Sequence, residues 1–579
     1  MISENAQRVL EARYLRRGAR GEVIETPEQL FERVARAIAE AELLYGTAGD
    51  ARYWEDRFHT MLAALDFLPN SPTLMNAGTP LGQLSACFVL PIEDSMESIF
   101  GTLRDAAMIQ RTGGGTGFSF SRLRPAGELV SSTGGSSSGP VSFMQIYDCT
   151  TENIKQGGRR RGANMGVLRV DHPDIEEFIR SKRDGATLHN FNISVGATDE
   201  FMAAVESGSD LDLLHPGTQR VLRTVPARKV FDQICEAAWA TGDPGLIFLD
   251  TIDRANPVPG CAIESTNPCG EVPLCAYESC NLGSINLTHF VENGEINWGR
   301  LRGQVHDGVR FLDDVISVTH FPLEAVARVT LANRKIGIGV MGFAELCILL
   351  GVSYASDAAA LLADGLMAFL AREARLASAR LAKDRGVFPN WSNSTLAHSG
   401  MRLRNATQTS IAPTGTISII AGTSPSIEPL FALAYRRQGV LGGETLAEFN
   451  PLLLRHLRRL GLDSELESIA STGRLSAAYE NIRKLFVTAL EIPPEQHVRV
   501  QAAFQKHVDN AVSKTVNLDE NCSPADVSAV YRLAYELGCK GVTVFRYESK
   551  SQGVLQLGLG ESPEEREHFA KCDPGACRL

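Results

Sequence analysis

The sequence predicts an α/β protein with a largely parallel sheet and a helical segment at its N-terminus. Short strand-like runs alternate with longer helical stretches from Asn70 to about residue 545. Alternation over such a length indicates parallel strands joined by helical crossovers, as in an α/β sheet or barrel. The chain has 579 residues, of which 44% are hydrophobic and 22% charged, which is typical of a protein with a large buried core.

The N-terminal residues have the pattern of helices. In residues 26–46 the apolar side chains recur at helical spacing behind Thr26, which can cap the helix, and Glu28 and Gln29 stand in its first turn. We therefore expect residues 1–69 to form an N-terminal helical segment.

The strand candidates begin after this segment and continue almost to the end of the chain. A long helix is predicted over 356–385, starting after Ser356 and stopping at Gly386. The serine- and glycine-rich residues 132–139 are expected to form a loop, and the weakly patterned residues 549–579 a flexible tail. The predicted strands are 85–91, 117–123, 166–170, 191–195, 246–249, 284–287, 335–342 and 541–545.

Charge and targeting signals exclude several classes of function. The net charge of −11 argues against a general binder of nucleic acid or of anionic membranes, which needs an excess of positive charge. The first residues contain no apolar signal core, and no apolar run is long enough to span a membrane. A cytoplasmic location is therefore expected. In that compartment twelve cysteines do not indicate a disulfide framework, and neither a C-x2-C zinc knuckle nor an H-E-x-x-H metal motif is present.

The segment 264–287 is the richest in reactive side chains. Asn267, Cys269 and Glu271 stand at alternate positions, while Pro268 and Gly270 between them disfavour a helix and favour a tight loop. A carboxylate beside a thiol disfavours the thiolate, so the pattern suits hydrogen-atom chemistry at sulfur better than ordinary nucleophilic attack. A structural turn with a buried cysteine is the alternative.

Other cysteines have weaker signals. Cys87 lies in the predicted strand 85–91, where core packing alone would explain it unless it meets Cys280 across the fold. Cys572 and Cys577, near the end of the tail, resemble a mobile dithiol.

Glycine-rich segments suggest phosphate binding. Residues 410–429 place Thr414, Gly415 and Thr416 at a predicted helix N-terminus, where backbone N–H groups suit an anion, although a capped turn is an equal alternative. The segment does not match the G-x4-G-K-[ST] motif of P-loop kinases. Residues 155–166 carry a basic cluster that suits a nucleotide phosphate or, alternatively, is a solvated charged face.

Taken together these segments resemble the catalytic subunit of ribonucleotide reductases, and most closely the adenosylcobalamin-dependent class II enzymes. The resemblance covers roughly residues 70 to 547, and its motifs occur in the family's order. They are NSPTLMNAG, LSACFVLP, GGGTGF, KQGGRRRGANMG, HPDIEEFI, NPCGE, ESCNLGSINL, APTGTIS, VDNAVSKTVNL and KGVTVFR. The resemblance implies a ten-stranded α/β barrel over residues 70–548, with effector-binding loops and with the NPCGE loop reaching into its centre.

The resemblance also implies the catalytic roles. Cys269 matches the transient thiyl radical that takes the 3′ hydrogen of the ribose, Glu271 the base for the 3′-OH, and Asn267 the amide that binds the sugar hydroxyls. Cys87 and Cys280 match the dithiol that reduces the substrate and ends as a Cys87–Cys280 disulfide.

Further positions match binding residues of the family. The C-terminal pair Cys572 and Cys577 resembles the shuttle that accepts electrons from thioredoxin or glutaredoxin, and a homodimer is expected. The residues that bind an effector deoxynucleoside triphosphate in the family correspond to Asp94, Arg111, Lys155, Gln156 and Arg160. The residues that contact the substrate in the family correspond to Ser71, Ala86, Cys87, Gly115, Asn267, Pro268, Cys269, Gly270, Glu271, Pro413, Thr414, Gly415, Thr416 and Ile417.

The class is predicted from two motifs that the C-terminal residues lack. Class I relatives carry a Tyr-Tyr pair after the last strand, where this chain has Phe545 and a single Tyr547, and class III relatives carry a glycyl-radical segment. Adenosylcobalamin is therefore the expected radical source, and ribonucleotides, as the diphosphates, are the expected substrates. Two alternatives stay open: a class I-type large subunit that needs a separate radical-generating subunit, and a nucleotide-binding regulator without catalysis.

Overall fold

A computed structural model describes most of the chain at the level of backbone and side chains. The described residues are 2–129, 134–156, 160–183, 185, 187–441, 444–547, 549 and 555–559. Among them, no helix is long and apolar enough to cross a membrane.

The predicted strands are present in the predicted order, and the structure adds further strands before, between and after them. They are β1 Phe67–Pro69, β2 Cys87–Leu90, β3 Gly115–Ser119, β4 Lys155–Gln156, β5 Arg160–Arg161, β6 Asn164–Arg169, β7 Phe191–Ala197, β8 Asp210–Leu214, β9 Val221–Pro226, β10 Gly245–Phe248, β11 Ile263–Thr266, β12 Pro273–Cys275, β13 Glu278–Asn286, β14 Val291–Glu292, β15 Glu295–Ile296, β16 Ile336–Met341, β17 Ala434–Leu441, β18 Glu444–Phe449, β19 Thr515–Leu518, β20 Gly541–Arg546 and β21 Leu555–Leu557.

The α-helices fill most of the intervals between these strands. They are α1 Glu4–Val9, α2 Pro27–Ala39, α3 Ala48–Ala63, α4 Ser71–Asn76, α5 Met96–Gln110, α6 Gly139–Asn153, α7 Ile175–Arg180, α8 Asp199–Ser207, α9 Ala227–Thr241, α10 Leu249–Arg254, α11 Trp298–Val318, α12 Glu324–Asn333, α13 Phe343–Leu349, α14 Asp357–Arg385, α15 Thr395–His398, α16 Ile417–Ala421, α17 Pro451–Leu460, α18 Glu465–Thr472, α19 Glu480–Leu485, α20 Pro494–Gln505 and α21 Pro524–Glu536.

Short helical turns of other types complete the secondary structure. A π-helical turn at Leu10–Tyr14 follows α1, and the 3₁₀ turns lie at Glu40–Leu44, Leu287–Phe290, Pro389–Asn393, Ala477–Tyr479 and Ala489–Glu491.

The central sheet of the described residues has ten strands, of which nine form two groups of parallel pairs and the tenth, β1, pairs antiparallel with β13. In the first group β2, β3, β6, β7 and β10 are parallel neighbours. In the second, β13 pairs in parallel with β16, and β19 with β20. The groups meet through antiparallel pairing of β13 with β2 and of β10 with β20.

The ring between β16 and β19 is closed by a segment that belongs to no named strand. Ile338 of β16 forms a parallel bridge with Thr409, and Ile411 forms one with Val512, just before β19. Together with the pairing of β13 to both β16 and β2, these bridges close the sheet into a barrel, which confirms the predicted fold class.

The N-terminal helices pack directly on the barrel's outer helices. The predicted Thr26 cap of α2 is present as part of a capping box, with Thr26 accepting from the backbone N–H of Gln29 at 3.3 Å and the Gln29 side chain accepting from Thr26 N–H. One apolar core joins buried residues of α2, α3, α11 and α14, among them Phe31, Phe58 and Phe311. The helical segment is therefore part of the same packed structure as the barrel.

Candidate active site

A tight hairpin carries the NPCGE residues across the barrel. β11 and β12 pair with Thr266 opposite Pro273, and the backbone N–H of Gly270 donates to Asn267 O at 3.0 Å to form the turn. The Asn267 side chain accepts from Val272 N–H at 3.0 Å, and Gly270 has a φ of +81°, which a glycine adopts without strain. The tight loop predicted from Pro268 and Gly270 is thus present.

Hydrogen bonds from two parts of the barrel wall hold this hairpin in place. Asn192 of β7 donates to Pro268 O at 2.7 Å. On the opposite side, Glu271 O accepts from Ser410 Oγ and from Ala511 N–H, each at 2.9 Å. The hairpin therefore lies between the two halves of the barrel.

Two glycines of β3 make room for the hairpin. A Cβ atom on Gly117 would lie 1.8 Å from Thr266 O, and one on Gly115 would lie 2.9 Å from Pro268 Cγ. Any side chain at Gly117 would push the hairpin away from the strand. The glycines of the GGGTGF motif thus have a packing role at these two positions.

The hairpin exposes its central thiol and buries the two flanking polar residues. Asn267 and Glu271 are each 2% exposed, whereas Cys269 is exposed at the turn. The alternative of a buried structural cysteine does not describe Cys269.

Cys87 and Cys280 face each other across two neighbouring strands. The register pairs Cys280 of β13 with Cys87 of β2, and both thiols are buried and not joined in a disulfide. They pack against Val272 and Leu274, which follow the hairpin turn. Burial and then the nearby Glu278 raise the pKa of Cys280, so its thiol is protonated at neutral pH.

Several of the predicted substrate residues adjoin this cysteine pair. Gly115 is the register partner of Cys87 on the side away from Cys280, and its N–H donates to Ala86 O at 2.8 Å. Ala412, immediately before the predicted phosphate segment, packs in the same cluster as the two thiols. Ser71 begins α4, and its hydroxyl is 2.8 Å from the Tyr14 hydroxyl of the N-terminal segment.

The predicted phosphate segment turns sharply into a short helix. Thr414 has a φ of +48°, its Oγ1 accepts from Ser426 N–H at 2.7 Å, and α16 begins at Ile417. Gly415 leads into this helix with no atom within 4 Å of where a Cβ would stand. The predicted helix N-terminus is present.

A cavity of about 680 Å³ reaches the exposed thiol. Pro268, Cys269 and Gly270 form part of its wall, and Phe545 of β20 lies in the same wall. Of the other predicted substrate residues, none lines this cavity. The cavity therefore adjoins Cys269 without including Cys87 and Cys280.

Buried polar groups that the sequence analysis did not identify also line this cavity. Glu345 accepts from Ser424 N–H at 2.8 Å, and burial raises the pKa of this carboxyl. Lys514 donates to Glu428 at 2.6 Å, and burial lowers the pKa of its ammonium group. A charged residue within the apolar run FAELCIL (343–349) was the sequence signal for Glu345, and Lys514 lies in a motif that was quoted without a role.

The cavity wall fits a ligand that has polar as well as apolar surface. Ser418 and Ser424 line it, and their hydroxyls are buried and have no hydrogen-bond partner among the described residues. Buried hydroxyls left without partners are costly unless a ligand or water satisfies them. The wall also holds apolar side chains, including Leu246, Ile419 and Phe545.

The predicted effector residues do not form one cluster within a single chain. Asp94 precedes α5 and pairs with Arg124 at 2.8 Å, whereas Arg111 follows α5. A helix of 15 residues at ~1.5 Å per residue places its two ends ~22 Å apart. Lys155, Gln156 and Arg160 lie in the short hairpin that β4 and β5 form.

Comparison with known proteins identifies relatives over nearly the whole chain. Residues 85–545 match the family model described as ribonucleotide reductase, barrel domain, and residues 1–82 match ribonucleotide reductase, all-alpha domain. The predicted division at residues 69 and 70 stays a prediction.

Two curated relatives have the same printed description, vitamin B12-dependent ribonucleoside-diphosphate reductase. That of Thermoplasma acidophilum is 48% identical, covering 98% of this chain and 82% of its own length. That of Mycobacterium tuberculosis strain H37Rv is 51% identical, covering 96% of this chain and 79% of its own length. A solved structure, the Actinobacillus ureae class Id ribonucleotide reductase alpha subunit, matches with a TM-score of 0.77 at 24% identity, covering 94% of this chain and 97% of that one.

Proposed function

We propose that this chain, which belongs to the ribonucleotide reductase family, reduces ribonucleoside diphosphates to 2′-deoxyribonucleotides with adenosylcobalamin as its cofactor. The observation that carries the proposal is the position of the NPCGE hairpin. Its exposed Cys269 faces a cavity, and the thiols of Cys87 and Cys280 pack against the same hairpin. One thiol can thus receive a radical while two others act as a reductant.

The cavity beside Cys269 is the proposed cofactor site. Its apolar walls and its unpartnered Ser418 and Ser424 hydroxyls suit a large ligand with amide and ribose groups. Adenosylcobalamin, when bound, supplies an organic radical by homolysis of its cobalt–carbon bond. Phe545 in the cavity wall stands where class I relatives are expected to have a redox-active tyrosine.

Each hairpin residue has a distinct role in the proposed reaction. Cys269 gives up its thiol hydrogen atom, and the resulting thiyl radical takes the 3′ hydrogen of the ribose. Glu271 accepts the 3′-OH proton, and Asn267 hydrogen-bonds the sugar hydroxyls. The anchoring of the hairpin by Asn192 and Ser410 keeps these groups in a fixed geometry, which such a transfer requires.

The paired thiols supply the electrons for the reduction. As the 2′-OH leaves as water it takes a proton from the dithiol, and two electrons pass to the substrate. Cys87 and Cys280, as directly opposed residues of an antiparallel pair, then form a disulfide, and Cys269 recovers its hydrogen atom. The raised pKa of Cys280 suits this role because the thiol has to carry the proton that it donates.

The segment Pro413–Ile417 is the proposed site of the substrate phosphates. It follows Ala412, which packs beside Cys87 and Cys280, and it leads into the N-terminus of α16. Backbone N–H groups at this turn can bind an anion. The ribose would then lie between this segment and the hairpin.

Effector binding is proposed to occur between two copies of the chain. The outer face of α5 exposes Met96, Phe100 and Met108, an apolar surface that suits burial in a dimer. Two antiparallel α5 helices would bring Asp94 of one protomer close to Arg111 of its partner. The β4–β5 hairpin, which holds Lys155, Gln156 and Arg160, would complete a site for a deoxynucleoside triphosphate.

The reductant is proposed to act through the C-terminal cysteines. Cys572 and Cys577 lie outside the described residues. The strand β21 pairs with β17, whose Tyr435 lines the cavity, so the last described residues lie close to the active site. Thioredoxin or glutaredoxin would reduce the C-terminal pair, which would then reduce the Cys87–Cys280 disulfide.

The two alternative functions have less support. The relatives' printed names specify vitamin B12, which disfavours a class I-type subunit that depends on a second protein. A nucleotide-binding regulator would have no use for an exposed Cys269 beside a buried pair of thiols.

The experiment that tests the proposed function replaces Cys269 by serine. Cys269→Ser should reduce deoxynucleotide formation to background in an anaerobic assay, since a serine O–H bond is too strong to yield its hydrogen atom. Cys522→Ser, at a half-buried cysteine outside the site, should retain full activity. Equal thermal unfolding temperatures would show that both variants fold, and measurable product from Cys269→Ser would overturn the mechanism.

A further inference from the structure

A second pair of cysteines lies at the base of the NPCGE hairpin. Cys261 precedes β11 and Cys275 ends β12, so the two residues flank the segment that carries Cys269. The Cys275 thiol donates to Cys261 O at 2.9 Å, which places it within reach of the Cys261 thiol. The proposed reaction uses neither of these cysteines.

The two thiols differ in access to solvent. Cys261 is half-buried, whereas Cys275 is 1% exposed. Of the two residues, only Cys261 has appreciable surface open to solvent, so an external reagent would meet Cys261 first and Cys275 would react with a group already at Cys261. This asymmetry is typical of an attacking thiol and a resolving thiol.

The surroundings favour negative charge on Cys261. Its sulfur lies 3.9 Å from Asn333 Nδ2, and the buried Lys335 is nearby. The neighbouring Cys275 thiol lowers the pKa of Cys261, with Lys335 and Asn333 contributing in the same direction against burial and Glu278. The Cys261 thiol and burial raise the pKa of Cys275, which therefore holds the proton.

We propose that Cys261 and Cys275 form a second redox-active dithiol, which is oxidised to a disulfide across the base of the NPCGE hairpin by exchange with an external disulfide. The Cys261 thiolate attacks the external disulfide, forms a mixed disulfide and releases one thiolate. Cys275 then attacks the Cys261 sulfur, and its proton passes to the second leaving thiolate. Two electrons have moved from the cysteine pair to the reagent, which leaves as two thiols once the first thiolate takes a proton from water.

This disulfide would differ from the proposed Cys87–Cys280 disulfide in its position and in the molecule that oxidises it, which is an external disulfide and not the substrate. It would close the segment 262–274 into a covalent loop and would join the two strands that carry Cys269. Its formation would need no substrate, since Cys261 is only half-buried and lies outside the proposed substrate contacts.

The test treats the reduced full-length protein with glutathione disulfide in the absence of substrate and of oxygen. After alkylation of the remaining thiols, cleavage after glutamate separates the relevant cysteines, because Glu264, Glu271 and Glu278 lie between Cys261, Cys269, Cys275 and Cys280. Mass spectrometry should then find peptide 237–264 linked to peptide 272–278.

Two variants and one internal reference make the result specific. Cys275→Ser should accumulate a glutathione adduct at Cys261 that no longer resolves, and Cys261→Ser should leave Cys275 as a free thiol. Cys522, half-buried like Cys261 but with a pKa raised by burial, should react at least tenfold more slowly than Cys261. Modification of Cys522 before Cys261, or a persistent adduct at Cys261 in the unmutated protein, would overturn the proposal.

Discussion

Asp313 and Asp314 are neighbours on α11 and are both fully buried, yet their surroundings favour opposite protonation states. Burial alone would raise the pKa of Asp313, but Arg334, Arg404 and Arg385 lower it below its ordinary value. Arg334 Nε donates to Asp313 at 2.9 Å, and Arg385 Nη1 lies 3.0 Å from the same carboxylate. Asp313 is therefore the ionised centre of an arginine cluster.

Asp314 behaves as a neutral acid. Burial raises its pKa well above the ordinary value, since the attraction of Arg385 does not offset burial and the repulsion from Glu42. Arg385 Nη1 donates to Asp314 at 2.5 Å. The pKa of Glu42 is lowered because Arg310 and Arg385 outweigh burial, so of these two carboxyls Asp314 is the one that holds a proton. Glu42 of the N-terminal segment pairs with Arg385 at 2.6 Å. The buried charge cluster around Asp313 and Asp314 therefore connects the N-terminal helices to the barrel.

Neutral substitutions at these two residues should have different costs. Asp313→Asn leaves buried arginines uncompensated and should lower the free energy of unfolding by about 3–5 kcal/mol. Asp314→Asn replaces one neutral group with another and should cost less than ~1 kcal/mol. Urea unfolding at pH 7 measures both values, and equal losses would contradict the assignment.

The pH dependence follows from the same assignment. Because the pKa of Asp314 is raised on folding, its contribution is present at low pH and is lost as the pH rises through the folded-state pKa. Asp314→Asn should therefore lose less stability than the unmutated protein on the alkaline side. Thermal unfolding from pH 6 to pH 10 would show this difference between the two proteins.

At the residue scale, the sequence indicated which side chains are reactive but not which of them lie next to each other. The polar hairpin and its cysteine were recognisable from Pro268, Gly270 and the alternation around Cys269. The pairing of Cys87 with Cys280 came from family resemblance, because the register of two strands distant in sequence is set by the whole barrel. The contact between Cys261 and Cys275 was not predicted, because it depends on the pairing and register of β11 and β12, which the sequence does not show.

At the scale of elements, the contact between β3 and β11 is the tightest constraint on the site. Gly117→Ala would place a methyl group 1.8 Å from Thr266 O, so the hairpin has to move. We expect a loss of about 1–3 kcal/mol in stability and a loss of activity of at least tenfold, since small displacements of reacting groups are costly.

A matched glycine substitution provides the control for this variant. Gly365 lies in the exposed face of α14, with no atom within 4 Å of a Cβ position. Gly365→Ala should stabilise the protein by ~0.5–1 kcal/mol and leave activity unchanged. If Gly117→Ala were as active as Gly365→Ala, the close approach of strand and hairpin would not be needed for function.

The long helix with clear end signals was predicted well, whereas some short strands were missed. The helix predicted over 356–385 is α14, Asp357–Arg385, because Ser356 and Gly386 mark its ends. The three-residue β1 and the four-residue β19 were missed, since so few residues show no periodicity. Strand β3 begins at Gly115, two residues before its predicted start, because glycines in a strand interior resemble a loop in sequence.

At the scale of the whole molecule, the proposed reduction by an external protein depends on a carrier between the surface and the buried thiols. Cys87 and Cys280 are 3% and 0% exposed, so a protein reductant cannot reach them. From Leu559, the last described residue, about 13 residues lead to Cys572, and at ~3.3 Å each they can span up to ~43 Å. This length suffices to bring Cys572 from the surface to the barrel interior.

Removal of the C-terminal dithiol should therefore uncouple the enzyme from thioredoxin. We expect Cys572→Ser with Cys577→Ser to complete about one turnover from the reduced state and then to stop. Dithiothreitol is small enough to enter the site and should restore part of the rate. A rapid-quench assay with thioredoxin and its reductase measures this, and sustained turnover by the double variant would show that another route exists.

The central claim is that this single chain generates its thiyl radical from adenosylcobalamin, and an anaerobic turnover assay of the purified protein tests it most directly. With a ribonucleoside diphosphate, a deoxynucleoside triphosphate effector and dithiothreitol, addition of adenosylcobalamin should start deoxynucleotide formation, and its omission should leave only background. Absence of product with adenosylcobalamin, or product that depends instead on a second metal-containing subunit, would contradict the claim.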